Sequence, residues 1–412
     1  MSSPLRIAMV TEYAYPVLGG ISEHVHFLSA ELAARGHDVR VITSRAPEPT
    51  RETAARADAL AERDFGYRTV RIGTSLPIPI NGSIARMTVD ARPLRATRRA
   101  IGDADVVHAQ GLVGPLLPLA AAQVSRAPCT VATFHTYVEG SKFLYWAWKL
   151  PMNHWLSKFD RRIAVSQVCV DSLVGFFPGH YDVIPNGIDC TTFTPLESEA
   201  DRDPGPPRIL FVGRFDPRNG LATLLDAARI LADQGRDFRV QIVGDGPLRP
   251  VYERQARRLG VWDRLEWLGL LKDERPELYR QATVLAAPCT LASFGVVLLE
   301  AFASGTPVVA ADNVGFRQVM RDGAPGRFVE PSSADALAAG LGEVLDDPAM
   351  RADWSARGRR VALERYAWPT VASRIEDLYR EVLDGRTASA PPGAPTNGAR
   401  PGRADAPTRS QT

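Results

Sequence analysis

The sequence predicts an α/β protein made of two doubly wound, Rossmann-like domains whose parallel sheets face each other across a cleft. Short and almost continuously apolar strands alternate with helical stretches in both halves, as in parallel sheets that helices cover on both faces. A polar break in composition separates the halves, and the 412 residues are enough for two domains. Because ligands of such folds bind beyond the carboxyl ends of the strands, we expect a site in the cleft.

The first predicted domain covers residues 1–190. Its strands are expected at residues 5–10, 39–43, 69–72, 106–108, 130–134, 162–165 and 183–184. A helix pattern over residues 21–35 ends at Gly36, whose backbone freedom suits a helix terminus. The stretches 46–67 and 76–86 are rich in Pro, Gly and charged residues, so we expect mobile surface insertions there.

The second predicted domain covers residues 208–385 and follows a polar linker at residues 191–207. Its strands are expected at residues 208–213, 238–243, 265–268, 284–287 and 307–310. Helices are expected from residue 334 to residue 383, and we expect the last one to cross back to the first domain. Residues 386–412 are rich in Ala, Pro, Gly, Arg and Ser, which predicts a disordered tail.

The composition excludes several classes of protein. The net charge of +2 gives no global field that would attract nucleic acid. The four cysteines are scattered without a CxxC pair, which argues against zinc and disulfides and indicates a reducing compartment. The sequence predicts no signal peptide and no apolar run near the ~20 residues that span a bilayer. We therefore expect a cytoplasmic protein, and a location at the inner face of a membrane is the alternative.

The most informative stretch runs from residue 292 to residue 309 and predicts a loop, a helix, a tight stop and a buried strand. Ser293 can cap the helix, Gly295 lets a ligand approach the backbone, and Gly305 can end the helix. A helix N-terminus that follows a strand favours phosphate, since its free N–H groups and its dipole attract negative charge. Glu300 lies roughly 7–8 Å further along the helix axis, at ~1.5 Å per residue, which suits a carboxylate that binds ribose hydroxyls.

This stretch resembles the nucleotide-sugar signature of the retaining GT-B glycosyltransferases of family 4, which usually reads Glu, seven residues, Glu. The second Glu matches Glu300, whereas Ala292 stands in place of the first. The resemblance covers about residues 5–384. It implies the GT-B fold and transfer of a hexose, such as mannose or glucose, from a GDP- or UDP-linked donor to a hydroxyl of a lipid, glycan or small molecule. It also implies retained anomeric configuration, no cofactor and no catalytic metal, and the wording is most similar to phosphatidylinositol mannosyltransferase-like members.

The resemblance assigns the diphosphate site to the tip of this helix and to the end of the first strand of the second domain. The residues at the tip are Ser293, Phe294, Gly295 and Val296. Arg214 matches the family's phosphate-binding arginine, which stabilises the departing diphosphate. Where the family usually has a lysine, this chain has the uncharged Asn219. Arg218 is our candidate for the missing charge, and a solvated loop side chain is the alternative.

Further donor contacts are expected from three loops. Gly19 and Gly20 follow the first strand and open a helix, so their N–H groups can approach a phosphate or sugar; a tight turn is the alternative reading. Gly244 and Asp245 resemble a family loop beside the donor, with helix capping as the alternative role of Asp245. Leu270 belongs to the segment that contacts the base in the family.

His135 is the candidate for a group near the reacting centre. It ends a strand of the first domain at the edge that faces the cleft, and the family places a histidine there near the donor sugar. The Asp-x-Asp pairs at residues 103–105 and 201–203 resemble metal-binding pairs of another glycosyltransferase fold. One lies at a helix–strand junction and the other in the linker, so we expect no metal at either.

Two features suit a membrane surface or a lipid-linked acceptor. One is a group of arginines around a short helix, which comprises Arg86, Arg92, Arg95, Arg98 and Arg99. The other is the aromatic stretch at residues 143–150, which has Lys on both flanks. A solvated basic face and a packed helix are the alternative interpretation. The expected partners are thus a nucleotide sugar and a hydroxyl acceptor, with membrane contact as a further hypothesis and no nucleic acid.

Three functions are open at this stage. The first is an active hexosyltransferase. The second is a weakened homologue that binds a nucleotide sugar or a partner protein, which Ala292 and Asn219 favour. The third is a GT-B sugar-nucleotide epimerase, which the absence of an obvious acid–base carboxylate pair disfavours.

Overall fold

The computed structural model describes residues 3–17, 19–46, 50–80, 83–90, 92–111, 116–135, 152–271, 273–321 and 324–389. Within these residues the chain forms one sheet of eight strands and one of six, with helices between the strands. The predicted α/β architecture with two mainly parallel sheets is confirmed. We call the first sheet and its helices the N-terminal lobe and the second sheet and its helices the C-terminal lobe.

The sheet of the N-terminal lobe has the order β4-β3-β2-β1-β5-β6-β7-β8, and its pairs are parallel except for β3 with β4. Its strands are β1 (Arg6–Thr11), β2 (Asp38–Arg45), β3 (Arg68–Ile80), β4 (Ser83–Val89), β5 (Val106–Gln110), β6 (Cys129–Phe134), β7 (Arg161–Ala164) and β8 (Asp182–Val183). Its helices are α1 (Gly20–Ala34), α2 (Arg51–Phe65), α3 (Pro93–Ile101), α4 (Leu116–Val124) and α5 (Gln167–Val174). Strands such as β5 and β6 are buried at every residue, as their apolar sequences predict.

The sheet of the C-terminal lobe has the order β11-β10-β9-β12-β13-β14 and is parallel. Its strands are β9 (Arg208–Val212), β10 (Arg239–Val243), β11 (Leu265–Gly269), β12 (Val284–Ala287), β13 (Val308–Ala311) and β14 (Arg327–Val329). Its helices are α6 (Leu221–Asp233), α7 (Arg249–Leu259), α8 (Arg275–Gln281), α9 (Val296–Ala303), α10 (Val314–Val319), α11 (Ala334–Asp346) and α12 (Pro348–Val361). A π-helical turn at Ala362–Tyr366 follows α12.

The described residues of the two stretches predicted as mobile insertions are mainly regular structure, so that prediction is wrong for them, and residues 47–49 and 81–82 lie outside the described part. Residues 46–67 contain α2, which buries Ala54 and Ala61 and is tied to β3 by an ion pair of 2.7 Å between Asp58 and Arg71. Residues 76–80 and 83–86 belong to the hairpin of β3 and β4. Beyond Thr74, β3 no longer pairs with β2 and pairs with β4 alone. A strand with one free edge tolerates prolines there, because a proline has no N–H to donate.

The last helix, α13 (Trp368–Ser389), leaves the C-terminal lobe and packs on the N-terminal one. Val371, Ala372 and Ile375 are buried in the same apolar cluster as Ile7 and Leu28. The helix runs four residues into the predicted disordered tail, and that prediction is wrong for residues 386–389. The reason is a contact that composition does not reveal, because the guanidinium of Arg386 binds the carboxylate of Asp160. Residues 390–412 lie outside the described residues, and the domain boundaries stay predictions.

Candidate functional site

The carboxyl ends of the strands of both sheets meet at a cleft, which holds a cavity of about 700 Å³. On the N-terminal side it is lined by Gly20 and Glu23 of α1. On the C-terminal side it is lined by Val296 and Glu300 of α9 and by Arg275 at the start of α8. Three predicted site residues therefore share this cavity: Gly20, Val296 and Glu300.

A second cavity of about 550 Å³ lies within the C-terminal lobe, at the ends of β9, β10 and β11. Four predicted residues line it, namely Arg214, Gly244, Asp245 and Leu270. Leu270 is 77% exposed, so its side chain is accessible from this cavity. Arg275 lines this cavity as well, so it stands between the two groups of predicted residues.

The loop after β9 presents Arg214 to the second cavity. The Arg214 side chain is exposed, and its guanidinium makes no ion pair with any residue in the described ranges. The amide of Asn219 donates a hydrogen bond of 2.7 Å to the main-chain oxygen of Arg214. Gly244 lies against this loop so closely that a Cβ atom there would come within 1.9 Å of the carbonyl oxygen of Gly213. The loop after β9 is therefore tightly packed, and it presents the exposed guanidinium of Arg214 to the cavity.

Arg218 is held away from both cavities. Its guanidinium binds the carboxylate of Asp216 at 3.2 Å, and its main-chain oxygen accepts a hydrogen bond of 2.8 Å from the N–H of Thr290. The hydrogen bond from Arg218 lowers the pKa of Asp216. The charge of Arg218 is thus largely neutralised where it stands, and its role at the diphosphate stays a prediction.

Glu300 is buried, and both of its carboxylate oxygens have partners. Oε2 accepts a hydrogen bond of 2.6 Å from the hydroxyl of Tyr279, and Oε1 lies 3.0 Å from Nη1 of Arg275. Burial raises the pKa of Glu300, while the charge of Arg275 and the Tyr279 hydroxyl act in the opposite direction. In this arrangement each oxygen of Glu300 already has one partner, so a ribose hydroxyl would share the carboxylate with Arg275 and Tyr279.

The tip of α9 is formed by main chain. Gly295 precedes the helix with φ 123°, and a Cβ there would meet the ring of Phe316 at 2.7 Å, so glycine is required. Ser293 does not cap the helix, and that prediction is wrong because the N-cap residue is Gly295, directly before Val296, and no side chain caps the helix. The Ser293 carbonyl instead accepts a hydrogen bond of 2.8 Å from Ser166 of the N-terminal lobe. Phe294 is buried, so only its backbone is available to a ligand.

Helix α1 begins at Gly20, and Gly19 is its exposed N-cap residue. Gly20 lines the larger cavity with open space around the position of a Cβ atom. The helix has no side-chain cap, which leaves its first N–H groups free on the cleft side. Glu23 stands in the first turn of α1, where its carboxylate meets Arg275.

His135 belongs to a chain of polar side chains below the cleft. Its Nε2 lies 2.7 Å from the Gln110 amide oxygen, so this nitrogen carries the proton and donates. The Gln110 amide nitrogen lies 3.3 Å from His108, whose Nδ1 lies 2.6 Å from the Tyr379 hydroxyl. Burial lowers the pKa of His135 well below its usual value. His135 is therefore neutral at physiological pH and can take part through hydrogen bonds rather than through charge.

His24 lies on the other side of His135 and lines the larger cavity, with 4.6 Å between the two ring centroids. Its Nδ1 is 3.0 Å from the Asn186 oxygen, while its Nε2 is buried without a partner among the described residues. Burial lowers the pKa of His24 to about 4. A buried, unpaired ring nitrogen at a cavity wall is a site where a ligand polar group fits.

The sequence did not reveal Arg275, Glu23, His24 or Gln110 as site residues. Arg275 carries one available signal, because Pro276 in the first helical turn marks a helix start after β11, at the carboxyl edge of the sheet. His24 and Glu23 follow the predicted glycine pair on the face of α1 toward the cleft. Gln110 ends β5 beside β6, which carries His135 at its end. No motif marks these residues.

The predicted Asp-x-Asp pairs have structural partners. Asp103 and Asp105 both bind the guanidinium of Arg6, the latter at 2.7 Å. Asp203 pairs with Arg208 at 2.9 Å, and Asp201 accepts from the N–H of Ser198. In the part of the chain that the structure describes, no group of His, Cys, Asp and Glu side chains is arranged to hold a metal ion.

The basic helix predicted near a membrane surface is α3. Arg95, Arg98 and Arg99 are exposed on it, and Leu94 beside them is 50% exposed. Arg92 is the exposed residue before the helix, and the side chain of Arg86 and the aromatic residues 143–150 lie outside the described part. Within the described ranges no helix combines the length and apolar character that crossing a bilayer needs.

Two family models match the chain. The model described as "Glycosyltransferase Family 4" covers residues 18–192, and the model described as "Glycosyl transferases group 1" covers residues 194–361. The two matched segments include the N-terminal and C-terminal walls of the cleft.

Among curated proteins, a phosphatidyl-myo-inositol mannosyltransferase of Mycobacterium tuberculosis is 36% identical over 92% of this chain and 97% of its own. The protein of the same name from Propionibacterium freudenreichii is 31% identical over 91% of this chain and 94% of its own. A glycogen synthase of M. tuberculosis is 29% identical over 94% and 97% of the two chains.

Solved structures agree on the fold. A glycosyltransferase from Rickettsia africae superposes with a TM-score of 0.73 at 18% identity, over 93% of this chain and 99% of its own. Anabaena HepE in complex with UDP and glucose superposes with a TM-score of 0.70 at 19% identity, over 91% and 99%.

Proposed function

This chain belongs to the family 4 glycosyltransferases of the GT-B fold and is a hexosyltransferase that uses a nucleotide-linked donor; we propose that the hexose is mannose and that the acceptor is a hydroxyl of an inositol lipid. The observation that supports this choice most is the identity of 36% to a phosphatidyl-myo-inositol mannosyltransferase over 92% of the chain. That similarity extends across both walls of the cleft, so it includes the acceptor side as well as the donor side. GDP is the first candidate for the nucleotide and UDP the second.

The two cavities suggest how the donor lies. We place the base over Leu270 and the loop at Gly244, with the diphosphate between Arg214 and the main-chain tip of α9. Both the guanidinium and the free N–H groups of a helix start favour phosphate. The ribose would then point toward Glu300, and the sugar toward Gly20 and the histidines of the N-terminal lobe.

Catalysis in this arrangement is mainly electrostatic. Arg214 and the α9 tip stabilise the negative charge that develops on the departing diphosphate. The acceptor hydroxyl attacks on the face that the diphosphate leaves, and a donor phosphate oxygen takes its proton, so the anomeric configuration is retained. His135 is neutral and held by Gln110, so it orients a sugar hydroxyl rather than transferring the proton. Closure of the lobes would exclude water and limit hydrolysis of the donor.

We further propose that the protein works at the cytoplasmic face of a membrane, where α3 contacts anionic lipid. Arg95, Arg98 and Arg99 project from one short helix, and the exposed Leu94 adds an apolar contact. Juxtaposed basic and apolar side chains bind anionic surfaces through charge and shallow insertion together. This contact would bring the cleft to a lipid acceptor.

The test is transfer from a panel of GDP- and UDP-linked hexoses to vesicles with and without phosphatidylinositol. The proposal expects nucleotide release that requires both GDP-mannose and the inositol lipid, with a mannosylated lipid as product. Transfer from another donor, or to a non-lipid hydroxyl, would refute the proposed substrates and leave the membership of the family untouched.

Three observations favour a second function, a nucleotide-sugar-binding protein without turnover. The first signature carboxylate is replaced by Ala292, the lysine is replaced by Asn219, and both oxygens of Glu300 already have a partner. Binding of a nucleotide sugar with no transfer and no hydrolysis across the panel would support this second function.

A further inference from the structure

Of the residues that the structure describes, Arg275 alone lines both cavities. It opens α8 directly after the loop that follows β11, and its side chain is 20% exposed. From there it lines the cavity of Arg214 and Gly244 and also the cavity of Gly20 and Glu300. A diphosphate that joins a base in one cavity to a sugar in the other has to pass this side chain.

The guanidinium of Arg275 is held by carboxylates from both lobes. Nη2 lies 3.2 Å from Glu23 of the N-terminal lobe, and Nη1 lies 3.0 Å from Glu300 of the C-terminal lobe. Its Nε is buried and has no acceptor among the described residues. A buried arginine N–H without an acceptor is costly, so an acceptor that reached this N–H would be favoured.

The other cations near the expected diphosphate do not replace the family's lysine. Asn219 is uncharged, and its amide is used by the carbonyl of Arg214. Arg218 is bound to Asp216 and lines neither cavity. Among the described residues that line the cavity of Arg214, the other cationic side chain is Arg275.

We propose that Arg275 is the second diphosphate-binding cation of this site, and that binding of the diphosphate draws it from Glu300, whose Oε1 then has more acceptor capacity for the ribose. This inference rests on the proposed use of a nucleotide-linked donor. A diphosphate offers more charge than one carboxylate and several oxygens for the planar guanidinium, so the exchange is favourable. Two steps of donor recognition, at phosphate and at ribose, are thereby coupled through one side chain.

The alternative is that Arg275 only links the two lobes. The two roles predict opposite effects of removing its charge. A phosphate ligand is lost in the first case, so nucleoside diphosphates bind more weakly. In the second case Glu300 is released without any loss of phosphate contact, so nucleoside diphosphates bind equally well or more tightly.

The experiment is calorimetric titration of the full chain with GDP, GMP, UDP and UMP. Relative to wild type, Arg275→Gln is expected to weaken the better-bound diphosphate about tenfold and the matching monophosphate less than threefold. Arg275→Lys, which keeps a positive charge, is expected to stay within about threefold for both. Arg258→Gln, at an exposed arginine on α7, is the matched control and is expected to change neither.

Glu23→Gln provides a test that does not remove the guanidinium. It releases Arg275 from the N-terminal lobe and is expected to strengthen diphosphate binding about threefold without the same effect on the monophosphate. Unchanged or tighter diphosphate binding by Arg275→Gln, together with no effect of Glu23→Gln, would overturn the inference while leaving the nucleotide site in place. Absence of nucleotide binding by the wild-type chain would instead overturn the proposed donor and this inference with it.

Discussion

The side-chain amide of Asn219 donates a hydrogen bond of 2.7 Å to the main-chain oxygen of Arg214. The residue that replaces the family's lysine therefore supports the loop that carries the phosphate-binding arginine. Its amide oxygen also lies 3.5 Å from the Cys289 sulfur, which ties the loop to the strand end after β12. Asn219 therefore lacks the positive charge of the family's lysine but has a structural function in this loop.

Asn219→Ala is expected to weaken nucleotide binding about three- to tenfold, because Arg214 loses its support, and to lower the free energy of unfolding by about 1 kcal/mol. Titration with the bound nucleotide and urea unfolding measure the two effects. Asn153→Ala is the control, since that amide also donates to a main-chain oxygen, of Phe176, but in the N-terminal lobe. Asn219→Lys is expected to retain nucleotide binding. Equal nucleotide affinities for wild type and Asn219→Ala would contradict the supporting role.

Arg214→Ala is expected to lower the transfer rate about 100-fold or more, as the loss of one preorganised donor to a developing negative charge does in other enzymes. Arg218→Ala is the comparison at the neighbouring arginine, which Asp216 already neutralises, and is expected to stay within about threefold. Initial rates at saturating donor check both. A larger loss from Arg218→Ala than from Arg214→Ala would reverse our assignment of the two arginines.

Gly244→Ala is expected to destabilise the chain by about 2 kcal/mol or more and to abolish nucleotide binding. Gly244 has φ 142°, and a Cβ would lie 1.9 Å from the Gly213 carbonyl oxygen, so the loop of Arg214 must shift. Gly175→Ala is the control, because nothing lies within 4 Å of a Cβ at that position. Thermal unfolding with and without nucleotide measures both effects. Normal nucleotide binding by Gly244→Ala would show that the close approach is dispensable.

The stability of the chain is expected to fall as the pH is lowered below about 6.5, because burial lowers the pKa of His24 to about 4 and that of His108 to about 3. Between these pKa values and pH 6.5 the unfolded chain binds protons that the folded chain does not. Each of the two histidines therefore lowers the free energy of unfolding by about 1.4 kcal/mol for every unit by which the pH falls. Urea unfolding between pH 7 and pH 4.5 measures the slope. His108→Gln is expected to reduce it by about that amount, and the exposed His154→Gln is expected to leave it unchanged. An unaltered slope in His108→Gln would refute the assignment.

Substitution of both Arg95 and Arg98 by Gln is expected to weaken binding to vesicles with anionic lipid about tenfold, at ~1 kcal/mol for each basic residue. Co-sedimentation with and without anionic lipid measures this. The matched control is the double substitution of Arg254 and Arg258 by Gln, since both are exposed on α7 of the C-terminal lobe. Equal recovery of wild-type protein with neutral and anionic vesicles would refute the membrane contact itself.

The fold was predictable because most of the chain obeys local rules. The strand at Val308–Ala311 and the helix at Val296–Ala303 follow directly from an apolar run that ends at Gly305. The hairpin of β3 and β4 was not predictable in the same way, because its prolines are tolerated only where the ribbon leaves the main sheet. Regular structure of this kind depends on pairing rather than on composition.

The site was predictable only in its main-chain parts and its family motifs. Gly244, Gly295 and Arg214 lie at strand ends or helix starts that the sequence marks. Arg275 and Glu23 are 252 positions apart, and their meeting depends on how the two lobes are placed. Neither residue belongs to a motif, so no local pattern predicts the ion pair between Arg275 and Glu300.

The packing of α13 on the N-terminal lobe determines the order in which the nascent chain can fold. Val371, Ala372 and Ile375 complete the apolar core around Ile7 and Leu28, yet the ribosome makes them after the entire C-terminal lobe. The lobe that is synthesised first therefore exposes part of its interior until α13 has been made, while the later lobe can close its own core at once. Chaperones that bind apolar surface would meet this protein at its N-terminal lobe, and release would await the arrival of the last helix.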